Sequence, residues 1–210
     1  MERFEIAADR HGKIRTILEA AQKRFGIFGV EKTSMREIAD DIKMSKAALY
    51  YYFPDKESLY KSVLLEEQSE FISEILQKMS SIGDPELLIR EYAVNRISYF
   101  RKLVNLTRLK YESYSGMKPM LQHSVDSFKK KECEVVAGIL EKGKMSGRFE
   151  IKDTNEMAIL FLDLLKGIRL STMNNMSSLF IGEEEYSVLL EKTIAFVDLF
   201  IRGINTKKDN

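Results

Sequence analysis

The chain has 210 residues, of which 44% are hydrophobic and 31% charged, with only 11 glycines and 3 prolines. A chain of that length makes one large domain or two small ones, and this composition excludes a disordered or collagen-like protein while favouring long helices. Thirty-three Lys and Arg against 32 Asp and Glu exclude a uniformly basic coat but not a local basic face, and the single cysteine, Cys133, excludes an internal disulfide framework and a Cys-rich zinc site.

In chain order, residues 13–28 place Ile14, Ile17, Leu18, Ala21 and Phe25 on one stripe at helical spacing, and Gly29 stops it. Thr33 or Ser34 offers an N-cap, and Glu37, three residues after Ser34, reads as a capping box that opens a helix burying Met35, Ile38, Ala39 and Ile42. Ser45 is a second N-cap, opening a helix over 46–53 that Pro54 closes. A long helix is expected over 56–79, a loop over 80–85, and a helical stretch from Glu86 to about residue 114 that either runs unbroken or breaks near Asn105. Gly116 and Pro119 read as the next break, with Pro119 in the first turn of a helix ending near residue 144. Residues 143–147 read as a turn, and two further helices cover 155–174 and 183–203. No segment alternates with period two between turn residues, so no sheet is expected. The expected fold class is all-α with about nine helices. The expected division is a helix-turn-helix domain over 10–57, a larger helical domain over 58–205, and a flexible polar tail over 206–210.

The segment Ser45-Lys-Ala-Ala-Leu-Tyr-Tyr-Tyr-Phe-Pro-Asp-Lys56 is unusual. Four consecutive aromatics stand about 100° apart on a helix and sweep most of its circumference. A short helix packs one face. Leu49 and Phe53, four apart, take the core side, so at least two of Tyr50, Tyr51 and Tyr52 must point outward beside Lys46. They are either plain surface tyrosines or, at the end of a tight helix-turn-helix, groups that meet DNA phosphates.

These residues also carry a resemblance. Ile17-Leu-Glu-Ala-Ala21, Phe25, Gly29-Val, Thr33-Ser-Met-Arg-Glu-Ile-Ala39 and Met44-Ser-Lys-Ala-Ala-Leu-Tyr-Tyr-Tyr-Phe53-Pro-Asp-Lys-Glu-Ser-Leu59 together resemble the N-terminal DNA-binding domain of TetR-type transcriptional repressors. The resemblance implies a homodimer on a palindromic double-stranded operator, released when a small-molecule inducer enters the second domain. It places Ser34 and Arg36 at backbone phosphate or a groove edge, and Ser45, Lys46 and Ala47 at the groove-entering end of the recognition helix. It puts Tyr50 and Tyr51 at phosphate-contacting positions, Tyr52 where histidine is frequent, and Lys56 at a phosphate-binding lysine. Two positions depart from the family pattern. Lys43 stands where a turn glycine is common, and Ala47 offers a methyl group rather than a hydrogen bond.

The second half is rich in aromatics and methionines. Taken singly these side chains read as core packing. As a group, Tyr99, Phe100, Tyr111, Tyr114, Met117 and Met120, with His123, Phe161, Leu165 and Met173, suit an apolar pocket for an apolar or amphipathic inducer. A lone histidine such as His123 is more often a surface group than a ligand. The last two helices carry apolar stripes wider than one face of a monomer needs. The resemblance implies that Leu162, Leu165, Leu170, Val197, Phe200 and Ile201 form a dimer interface, the alternative being that these stripes finish the monomer core.

No metal site, cofactor site or catalytic arrangement emerges, so an enzyme reading would rest on fold alone. A DNA-binding architectural protein without a ligand is a third reading. The first residues lack an apolar signal region and no apolar run approaches the length of a membrane span. A cytoplasmic protein with no membrane partner is expected.

Overall fold

A computed structural model describes residues 2–107, 111–174 and 181–206, with side chains described over 10–102, 122–172 and 181–206. The described residues form eight helices and no strand: α1 (Glu2–Phe28), α2 (Met35–Asp41), α3 (Lys46–Tyr52), α4 (Lys56–Ser81), α5 (Pro85–Thr107), α6 (Tyr111–Met145), α7 (Thr154–Asn174) and α8 (Glu183–Ile204). The chain divides into two compact units, unit 1 comprising Met1–Glu67 with Leu103–Leu121, and unit 2 comprising Gln68–Lys102 with Gln122–Asn210.

The all-α class is as the periodicity requires, and the boundary between two of the helices differs at Gly116 and Pro119. The expected break there is absent, because α6 runs through both residues as one 35-residue helix. Pro119 lacks one N–H, but ending the helix would leave several carbonyls and amides without intrahelical partners. One lost bond is the smaller loss.

In unit 1, Ile17, Ala21 and Phe25 of α1, Ile38 of α2, Leu49 of α3, and Leu59 and Tyr60 of α4 are buried together, with Phe25 and Tyr60 meeting edge to face at 5.7 Å. The N-terminus of α2 is fastened by its capping box. Glu37 N donates to Ser34 Oγ at 3.3 Å, and Ser34 N donates to Glu37 Oε2 at 2.8 Å. These bonds from Ser34 hold the Glu37 carboxyl below its usual range. Ser45 caps α3 in the same way, accepting from Ala48 N at 3.1 Å. Between the two helices Lys43 has φ 53°, the left-handed conformation that glycine adopts without cost. Arg24 of α1 grips Asp41 at the end of α2 with two hydrogen bonds, at 2.5 and 3.0 Å, which holds the Asp41 carboxyl low.

Unit 2 is cored by aromatic and aliphatic side chains of α4 to α8, including Phe71, Tyr92, Ile139, Phe161, Leu165 and Val197. After α6, Gly147 turns the chain at φ 71°, and an isolated antiparallel bridge joins Phe149 to Asn205. Thr206, expected in a free tail, donates from its amide to Arg148 O at 3.0 Å and from its hydroxyl to Gly147 O at 2.6 Å. Residues 207–210 lie outside the described residues.

Candidate nucleic-acid interface

The seven-residue α3 is anchored from beneath and bare above. Leu49 is fully buried and Phe53 nearly so, and both pack in the unit 1 core. The opposite side presents Ser45, Lys46, Ala47, Tyr50 and Tyr51 to solvent, with Tyr51 74% exposed. At least two tyrosines therefore face outward, as the spacing demanded. Tyr52 is half-buried against the core and meets the Tyr51 ring edge to face at 5.3 Å, which orders an otherwise free side chain. Lys46 Nζ lies 5.5 Å over the Tyr50 ring, so cation and aromatic form one amphipathic patch.

Ser34 and Arg36 are exposed on α2. The Arg36 guanidinium has only a 3.9 Å contact to Asp40, four residues on, and both side chains are well solvated. Such a pair contributes little and yields readily to a stronger anion. Lys56 is different. Its Nζ donates to Val30 O at 2.8 Å, Thr33 O at 2.9 Å and Glu31 O at 3.3 Å. Three carbonyls take up all three ammonium donors, an arrangement that the resemblance to a phosphate-binding lysine did not anticipate.

In unit 2 the residues expected around a ligand divide three ways. Phe161 and Leu165 are buried core residues, Tyr99 and Phe100 are half-buried, and His123 is exposed. The side chains of Tyr111, Tyr114, Met117, Met120 and Met173 lie outside the described residues. Tyr99 stacks on Phe71 at 4.8 Å, and Phe128 stands within 6.0 Å of both rings. Phe100 carries the Arg169 guanidinium 3.7 Å over its ring.

Sequence reading missed a buried polar triad beside these rings. Arg96 donates to both oxygens of Glu132, at 2.6 and 3.2 Å, and Tyr92 Oη donates to Glu132 Oε1 at 2.7 Å. Burial drives the Tyr92 phenol well above its usual value, and the Glu132 charge adds to that. For Arg96 burial pulls the other way, but the Glu132 charge and the hydrogen bonds to it outweigh that and hold the guanidinium above its ordinary value. A signal was present. Glu132 falls on the helical stripe of Phe128, Val135, Val136 and Ile139, where an acid without a partner would be costly.

Most of the expected dimer residues lie inside unit 2. Leu162, Leu165, Val197 and Ile201 are at most 4% exposed inside unit 2, and Phe200 is half-buried against Phe161 at 4.7 Å. Of the six, only Leu170 is exposed. The stripes are wide because each helix has a second apolar edge: Ile159, Leu160, Leu164 and Leu170 on α7, and Val188, Ile194 and Leu199 on α8, are all at least 40% exposed. Periodicity found the stripes but did not say which edge the monomer covers.

Among the described residues no helix is long and apolar enough to cross a membrane, and no group of three His, Cys, Asp or Glu is placed to hold a metal ion.

A helix-turn-helix carried by unit 1, with a cationic and aromatic face on its second helix, defines a DNA-binding transcriptional regulator. Residues 17–63 match the family described as bacterial regulatory proteins, tetR family. Over 93% of this chain and 100% of the other, the structure is similar to that of a transcriptional regulator from Cytophaga hutchinsonii, with 37% identity and a TM-score of 0.87. Curated relatives include the uncharacterized HTH-type transcriptional regulator YuxN of Bacillus subtilis, 37% identical over 79 residues, which are 38% of this chain and 27% of that protein. The probable acrEF/envCD operon repressor of Escherichia coli K12 is 29% identical over 90 residues, 41% of this chain and 40% of that protein. The chain thus spans less than half the length of these two relatives. It belongs to the tetR family of bacterial regulatory proteins, which are transcriptional regulators and not enzymes.

Proposed function

We propose that the chain is a cytoplasmic repressor that binds a palindromic operator as a homodimer and releases it when a small apolar or amphipathic molecule binds unit 2. The observation that carries this reading is the outward face of α3. Lys46 and Ala47 stand where side chains reach base edges in a major groove, with Lys46 able to donate to guanine acceptors and Ala47 to meet a thymine methyl. Ser45, Tyr50 and Tyr51, with Tyr52 at the edge, and Ser34 and Arg36 on α2 supply hydroxyl and guanidinium donors for phosphates. A relative that is a probable operon repressor supports the direction of regulation.

The exposed apolar edges of α7 and α8 support a dimer, because a second copy related by two-fold symmetry would cover the same edges on both chains. For the inducer, unit 2 offers stacked rings for an apolar body and the Tyr92–Arg96–Glu132 triad for a polar end. Release requires only that the molecule prefer the state with lower DNA affinity.

The test is to select duplexes from a random library with the purified protein and to follow binding by fluorescence anisotropy, with light scattering for mass. The expected result is a palindromic consensus bound by a species of twice the 24.3 kDa chain mass. A monomer at micromolar concentration, or a selected pool without symmetry, overturns the two-half-site reading. Binding that no unit 2 ligand ever weakens favours an architectural role.

A further inference from the structure

Lys56 holds a position in unit 1 that the DNA-binding reading does not explain. The turn from α1 to α2 lies at the carbonyl end of a 27-residue helix, where backbone oxygens lack intrahelical partners and the helix dipole is negative. Five of the turn's backbone oxygens have identified donors. Gly29 O accepts from the Thr33 hydroxyl at 2.8 Å, and Ser34 O accepts from Ile38 N at 3.3 Å. Val30 O, Glu31 O and Thr33 O all accept from the single Lys56 ammonium. Thr33 itself is only 2% exposed, so its carbonyl has little access to water as a substitute partner.

Lys56 is the first residue of α4 and follows α3 after only three residues. Its ammonium therefore ties the start of α4 to the turn before α2, and the α2–α3 pair is held at both ends. Drawing that ammonium onto a phosphate would release three carbonyls at once and free the turn that carries Ser34.

We infer that Lys56 is a positioning residue. It holds the α1–α2 turn, and through it Ser34, Arg36 and the α2–α3 pair, in the geometry that reads DNA, and it does not itself neutralise a phosphate. The inference rests on the DNA-binding reading and is separable from it by the following experiment.

The probes are sonicated heterogeneous duplex DNA and a duplex selected by the parent protein, each titrated by anisotropy across a salt series well below the thermal midpoint. Lys56→Gln removes the charge but keeps two N–H donors. It should leave the slope of log affinity against log salt at the parent value, lower the thermal midpoint by several degrees, and weaken the selected duplex several-fold more than the heterogeneous DNA. Arg36→Gln is the contrast, expected to make the slope shallower by about 0.9, the contribution of one phosphate contact. A Lys56→Gln slope shallower by that amount overturns the inference. So does an unchanged midpoint, or equal weakening of both probes. A second measurement needs no variant: amine-reactive labelling of the parent should find Lys56 slow with and without DNA, and Lys46 fast when free. Lys56 labelled rapidly in the free protein and protected by DNA would again overturn it. A parent protein that binds neither duplex would instead remove the DNA-binding reading.

Discussion

Unit 1 and unit 2 place the same residue types on opposite sides of their surfaces. In unit 1, tyrosines and lysine on α3 face solvent over a small core closed by Leu49, Ile38 and Phe25. In unit 2, Phe71, Tyr92, Phe161 and their neighbours turn inward, and an arginine–glutamate pair is buried with them. A face meant for a polyanion needs exposed donors whose desolvation is slight. A closed core instead gains definition from polar groups that have one geometry in which all are satisfied. The same substitution should therefore have opposite consequences in the two units, and that contrast can be broken experimentally.

The largest effect is expected at the triad. Glu132→Ala strands the Arg96 guanidinium in the core and should cost about 3–5 kcal/mol of unfolding free energy, measured by urea denaturation. The joint change of Arg96→Met and Glu132→Leu should cost far less, because no charge is left buried. Removing Arg36 from the solvated Arg36–Asp40 pair of unit 1 should cost less than about 1 kcal/mol. Equal costs at the two pairs would erase the contrast between the units.

Next comes Leu49→Ala, which empties the anchor beneath α3 and should cost about 2–5 kcal/mol. Tyr51→Phe, on the opposite face, should stay within about 0.5 kcal/mol of the parent. A reversed order would mean that α3 is turned the other way.

Lys46→Ala should leave the thermal midpoint unaltered yet cost about 1–3 kcal/mol on the selected duplex and relax one base position. Uniform loss on all duplexes would move Lys46 from base edge to phosphate. The smallest effect belongs to Lys43→Gly, which relieves the φ of 53°. It should stabilise unit 1 by about 1 kcal/mol or less, because glycine also gains entropy in the unfolded chain. Destabilisation by this change would show that the lysine side chain makes a contact worth more than the strain.

Much of unit 1 was legible because its signals are local. The capping box at Ser34 and Glu37, the cap at Ser45, the odd residue Lys43 in the turn, and the division of α3 into Leu49 and Phe53 inside and Tyr50 and Tyr51 outside all follow from residues within a few positions of one another. In unit 2 the stripes of α7 and α8 were legible, but their inner and outer edges were not. Leu162 and Leu164 differ by two positions and face opposite ways, and both suit an apolar contact equally well.

By itself, then, the sequence determined the helical class, the capped helix-turn-helix and the outward aromatic face, since caps, turns and helical period act over four residues or fewer. Tertiary structure decided the rest. It carried α6 through Pro119 as one helix, it chose which edge of α7 and α8 the core covers, it brought Arg96 to Glu132 across 36 residues, and it turned Lys56 back onto the carbonyls of Val30 and Thr33. Each of these depends on which distant groups are left without partners once the helices have packed, and an ammonium goes to whichever unsatisfied oxygens that packing sets within its reach.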